Sequence, residues 1–132
     1  DRANALMEQV LAESPSDVLL NNDVAYAWID QGVRLEEAEP MIRFALGARP
    51  RQGAYLDTYG WLLYKKGDFE GAIKWLTRSR NSTAGDDPVV HDHLGDAYWR
   101  IGRTAEAVEM WTKDSSSEIP TACSSLTGDP AA

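Results

Sequence analysis

The chain lacks several things that would have named a chemistry. It has one cysteine, Cys123, so no intrachain disulfide can form and no CxxC pair exists to hold a metal or run redox exchange. The redox compartment therefore stays open. It has no run of about 18 apolar residues, which leaves no segment of membrane-spanning length. It has no basic excess. The net charge is −8, from 21 acidic and 13 basic residues. Nucleic-acid binding is driven by Lys and Arg neutralising phosphates, and anionic membranes also attract cations, so both partners are disfavoured. A basic peptide, or a protein with a basic patch, suits this charge better. The beginning shows no positively charged, apolar-cored leader and no initiator Met. A length of 132 residues fits one domain or a piece of a longer array, and the missing Met favours the piece. Cytoplasm and bacterial envelope both remain open as locations.

Familiar catalytic spacings are missing too. There is no HExxH, no P-loop and no Gly-rich phosphate loop. His91 and His93 flank Asp92, but residues two apart on a helix point about 200° from each other and cannot share one ion. His91 is expected in the core and His93 beside a groove. No nucleophile stands in a motif with a base and an orienting group. Asp57, Asp92 and Asp96 are expected on a solvated face, with no pocket to raise a carboxyl pKa. The sequence thus implies neither an enzyme nor a metal or other cofactor. Asn81-Ser82-Thr83 matches a glycosylation tripeptide, a pattern common by chance.

What is present is a period. Gly32, Gly67 and Gly102 stand 35 residues apart, as do Ala25, Gly60 and Gly95. Pro15 and Pro50, and Ala3 and Ala38, repeat the interval. A period of this size means one supersecondary unit stacked on copies of itself. Around these markers the apolar residues follow helical spacing. Helices are predicted over Ser16–Gln31 and Leu35–Ala48, then Ala54–Lys66 and Phe69–Arg80, then from Asp87-Pro88 to Ile101 and over Thr104–Lys113. Asp1–Glu13 aligns with the second helix of a unit whose first is missing. The expected fold is all-α, seven helices in a solenoid, with a polar tail after Asp114.

Two irregularities stand out. Gly32 to Ala38 is six residues where Gly67 to Ala72 and Gly102 to Ala107 are five, so one residue is inserted near Val33. Pro40 falls about one turn into a helix, which predicts a local kink or a late start. Glycine inside a helix costs about 1 kcal/mol relative to alanine. Its recurrence at positions 60 and 95 predicts that paired helices approach closely there, opposite Ala72 and Ala107. Trp28, Leu63 and Tyr98 are expected to fill the space beside them.

These residues resemble the tetratricopeptide repeat, a helix pair marked by Leu-Gly, Tyr, Ala, a large apolar residue and Pro. The third unit carries Leu94-Gly95, Tyr98, Gly102, Ala107 and Trp111. The second carries Tyr59-Gly60, Leu63, Gly67, Ala72 and Leu76, and the first Val24-Ala25, Trp28, Gly32, Ala38, Ile42, Ala45 and Pro50. The resemblance implies a right-handed superhelix over 1–114, divided into a half repeat (1–15) and repeats at 16–50, 51–87 and 88–114, with a tail at 115–132. The segments around Asp57–Tyr64 and Asp92–Trp99 are similar to the C-terminal repeats of large bacterial scaffolds of this family.

In that architecture first helices line a concave groove. The stripe facing it would be Asn22, Tyr26, Ile29 and Asp30, then Asp57, Trp61, Tyr64 and Lys65, then Asp92, Asp96, Trp99 and Arg100. Aromatic anchors among carboxylates suit a peptide with apolar and basic side chains. The same aromatics could instead pack between neighbouring first helices as ordinary core. The carboxylate clamp of chaperone-binding family members is not expected, because its places hold Asn22, Tyr26, Trp61, Val89 and His93 amid acidic neighbours. The resemblance therefore implies a non-catalytic module that binds a peptide or protein segment. The alternative is a structural or self-associating segment of a larger protein, joined through the solenoid ends.

Overall fold

The structure, a computed structural model, describes residues 2–82 and 87–114. Cys123, the polar tail, and residues 83–86 of the loop that carries the glycosylation tripeptide lie outside the described residues. Among the described residues the chain forms seven helices: α1 (Arg2–Glu13), α2 (Val18–Gln31), α3 (Leu35–Ala48), α4 (Gly53–Lys65), α5 (Phe69–Arg80), α6 (Pro88–Arg100) and α7 (Thr104–Asp114). Helices α2 with α3, α4 with α5, and α6 with α7 pack as pairs. The connections within pairs are short, which makes the partners antiparallel. Neighbouring pairs meet through α2 on α4, α3 on α4, α5 on α6 and α4 on α6. No helix among the described residues is long and apolar enough to cross a membrane.

One device starts α2, α5 and α6, and another stops α2, α4 and α6. Asp17, Asp68 and Asp87 sit just before α2, α5 and α6, and each accepts a hydrogen bond from a first-turn N–H at 2.9 Å. Pro88 occupies the first position of α6, where its missing N–H costs nothing. At the end of α4, Gly67 turns left-handed at φ 90°, which lets the next residue's N–H reach back to the Leu63 carbonyl at 2.9 Å. Val33 to Trp28 and Arg103 to Tyr98 repeat that bond at the same length.

The inserted residue has a structural consequence. In the first pair, α3 does not start directly after the residue that follows the glycine. Arg34 stands between, left-handed at φ 53°, and no side chain caps the helix there. A non-glycine residue in this region is held by its surroundings. The Arg34 guanidinium lies 4.7 Å over the Trp28 ring and pairs with Glu8 of α1. The Pro40 expectation divides: α3 begins at Leu35, so there is no late start, and the proline sits exposed within the helix.

The core forms two clusters. One gathers Val24, Ala25, Trp28, Ile29, Ala38, Ile42, Ala45, Tyr55, Trp61 and Leu62; the other gathers Ala72, Leu76, Val90, Leu94, Ala97 and Met110. The helical glycines lie where helices touch. A Cβ on Gly60 would stand 2.7 Å from Leu76 Cγ, and a Cβ on Gly95 would collide with the Trp111 indole. Ala72 and Ala107 are fully buried in the facing helices. Trp28 is buried, while Leu63 and Tyr98 are half-buried against the second cluster. Burying one such large side chain fully is worth about 1.5–3 kcal/mol.

Candidate functional site

Helices α2, α4 and α6 stand side by side, and they carry the candidate stripe. The structure sorts its residues by depth. Asn22, Ile29, Asp57 and Trp61 are buried, at 6%, 0%, 7% and 6% exposure. Tyr26, Tyr64, Lys65, Asp96 and Trp99 are half-buried, and Asp92 and Arg100 are exposed. Ile29 therefore belongs to the core. It lies one turn from Ala25 and shares that residue's inward face.

Trp61 is the centre of the arrangement. Its ring stacks with His93 of α6 at 3.8 Å between centroids and with Tyr64 at 4.5 Å. Its indole N–H donates to Asp30 Oδ1 of α2 at 3.1 Å. Lys65 Nζ lies 5.2 Å over the same ring. The tryptophan that the sequence offers as an open anchor is thus largely covered by neighbouring first helices. Beneath it, His93 Nδ1 meets Asp57 Oδ1 at 2.9 Å, with both residues buried. Tyr26 lies 6.3 Å from the His93 ring, tilted against it.

Such an Asp–His pair also serves as orienter and base in nucleophilic hydrolases. Here the pair ties α4 to α6 across successive units. His91, two residues back on α6, is buried at 4% exposure.

Toward α7 the stripe changes character. Trp99 lies 5.9 Å from Trp111 in a tilted contact. Arg100 places its guanidinium 4.7 Å over Phe69 and 5.8 Å over Tyr64. Asp96 accepts a hydrogen bond from Trp111, yet its carboxyl pKa is raised, first by burial and then by the charge of Asp92. For Asp96 this corrects the expectation of a solvated carboxyl with nothing to raise its pKa. Asp57 is not on a solvated face either, being buried against His93.

A cleft of about 380 Å³ opens between α2, α4 and the start of α6, lined by Asn22, Asp23, Tyr26, Ala54, Asp57, Thr58 and Asp87. The Tyr26 phenol beside it is pushed up to about 12 by burial, then by Asp30, Asp57, Asp87 and Asp92. Sequence reasoning passed over Asp23 and the grouping of Asp87 with Asp57. It also missed the Asp57–His93 bond. These residues are 36 apart, one off the period, so a reading in strict phase sets Asp57 beside Asp92. A search of neighbouring phases for acid–histidine pairs would have found it.

Comparison with known proteins bears on the family and the fold. A family model described as tetratricopeptide repeat matches residues 34–87. A TPR repeat-containing protein of Pseudomonas aeruginosa is 30% identical over 87 residues, covering 66% of this chain and 14% of that protein. The chain thus spans about a seventh of the curated relative it matches. Among solved structures, MamA of Desulfovibrio magneticus aligns with a TM-score of 0.69 and 18% identity, over 86% of this chain and 63% of the other. PilF of Pseudomonas aeruginosa aligns with a TM-score of 0.67 and 23% identity, over 86% and 51%. Both share the all-α solenoid of antiparallel helix pairs.

Proposed function

We propose, since the chain belongs to the tetratricopeptide-repeat family, that it is a non-catalytic interaction module taking a peptide or protein segment along the face of α2, α4 and α6. Proteins of this family are generally interaction modules, and the fold implies protein partners. Repeats over 16–50, 51–87 and 88–114, with a half repeat at 1–15 and a tail at 115–132, are the division that fits this reading. The observation that carries it is the half-buried aromatic row Tyr26, Tyr64 and Trp99 on successive first helices, set among Asp57, Asp92 and Asp96. Half-exposed aromatic rings beside carboxylates favour apolar and basic side chains. Trp61 supports the row from beneath.

The test is selection of displayed random peptides on the chain, followed by titration of the enriched peptides against a Tyr26→Ala/Trp99→Ala variant. Affinity should fall at least tenfold while far-UV circular dichroism stays unchanged. Equal affinity for both proteins would move the site elsewhere.

A second reading has its own support. Helix α1 buries no residue, and Leu6 and Val10 on it are 61% and 45% exposed, with Leu19 of α2 at 58%. Exposed apolar residues of this kind suit self-association. Light scattering over a dilution series checks this, and a mass independent of concentration counts against it.

A further inference from the structure

We propose that the cleft between α2, α4 and the start of α6 receives the ammonium group of a lysine side chain on a bound peptide. This rests on the groove reading above and names what one position of that peptide carries. The lining of the cleft is rich in acceptors: Asn22, Asp23, Tyr26, Asp57 and Asp87, with no Lys or Arg among them. Carboxylates alone would make only a solvated acidic patch. Asn22 makes the difference. Its side chain stands on the cleft wall at 6% exposure, and its Oδ1 is buried with no hydrogen-bond donor. Its Nδ2 reaches Asp23 Oδ1 at a long 3.4 Å. A buried acceptor without a donor is an unfavourable state that an incoming N–H relieves.

The neighbouring acceptors are held in place. Asp57 Oδ1 meets His93 Nδ1 at 2.9 Å, and Asp87 Oδ1 accepts from the Val89 N–H at 2.9 Å. The elevated pKa of Tyr26 reports the same negative field, from Asp30, Asp57, Asp87 and Asp92 acting with burial. Tyr26 stays neutral there, and its ring offers an apolar wall to an aliphatic stem. Lysine fits better than arginine. Its ammonium is a compact charge with three rotatable donors, which suits one amide oxygen among scattered carboxylates. A guanidinium instead favours a planar, bidentate partner.

The experiment is NMR titration of the ¹⁵N-labelled chain with the peptide acetyl-Ala-Leu-Lys-Leu-Ala-amide and with its norleucine counterpart. The lysine peptide should shift the Asn22 side-chain amide and the Ala54 and Asp57 amides saturably, with at least tenfold lower affinity for the norleucine peptide. Asn22→Leu should remove that tenfold preference. Asp87→Asn, which keeps the helix cap, should reduce it severalfold and serves if the first variant does not fold. Equal shifts by both peptides at Tyr64 and Trp99, with Asn22 unmoved, overturn the ammonium site and leave the groove reading standing. No shift anywhere overturns both. Saturation of the Asn22 signal by spermidine, with none by the lysine peptide, overturns the assignment to a protein side chain.

Discussion

Gly60 and Gly95 occupy the same place in successive repeats, yet the helix pairs they join are held differently. Over Gly60 lies Leu76, fully buried, with the Leu76 backbone nitrogen 3.2 Å from where a Cβ would stand. Over Gly95 lies the half-buried indole of Trp111, which also hydrogen-bonds Asp96. The middle pair is closed by a plug with backbone behind it. The last pair is closed by a half-buried ring that contacts Trp99 and hydrogen-bonds a carboxylate. A shared period thus sets where helices touch without setting how firmly.

Substitutions at these seams can break or sharpen the contrast. The largest effect is expected for Gly60→Ala. Overpacking a fixed core costs about 1–3 kcal/mol, and the gain of about 1 kcal/mol in helix propensity offsets part of it. A net loss of up to about 2 kcal/mol in urea unfolding is expected from these terms. Next comes Gly95→Ala in a Trp111→Leu background, which copies the Gly60 seam into the last pair. There the alanine should cost about 1 kcal/mol. Gly95→Ala alone should cost about 1 kcal/mol, because Trp111 has to swing outward and give up its hydrogen bond to Asp96. That movement should red-shift tryptophan emission. If Gly95→Ala costs as much as Gly60→Ala, the contrast fails.

The smallest effect concerns the carboxylate partner. Asp96 holds its proton more tightly in the folded chain than in the unfolded one. The folded state therefore binds more protons across the window above pH ~4, and this residue's contribution to stability falls as pH rises through its raised pKa. Asp96→Asn retains an acceptor for Trp111 and removes that decline. The difference in melting temperature between variant and wild type should grow in the variant's favour from about pH 4 to pH 7. A difference that does not change with pH would put Asp96 in ordinary solvent.

The helices were legible because their causes are local. Asp-Pro at 87–88, the turn glycines and the apolar spacing each act within a few residues. The close approaches at Gly60 and Gly95 were legible too, because glycine within a helix needs a reason. The site was harder to read. Trp61 lies in phase with Tyr26 and Asp96, but its neighbours in space are Asp30, Tyr64 and His93. Those contacts depend on how one pair is rotated against the next, and a one-dimensional period carries no such angle. Ile29 shows the same limit on a smaller scale. The spacing that ties it to Asn22 and Tyr26 also ties it to Ala25, and the inward face prevails.

Trp61 has one further consequence. It holds α2 through Asp30 and α6 through His93, while rooted in α4. In mechanical terms the three first helices are the coils of a short spring, and this side chain is a rivet through the middle coil. A flattening or tightening of the coil would work against the bond to Asp30 and the stacked rings. Elastic strain from a ligand that bends the protein would therefore concentrate at this rivet.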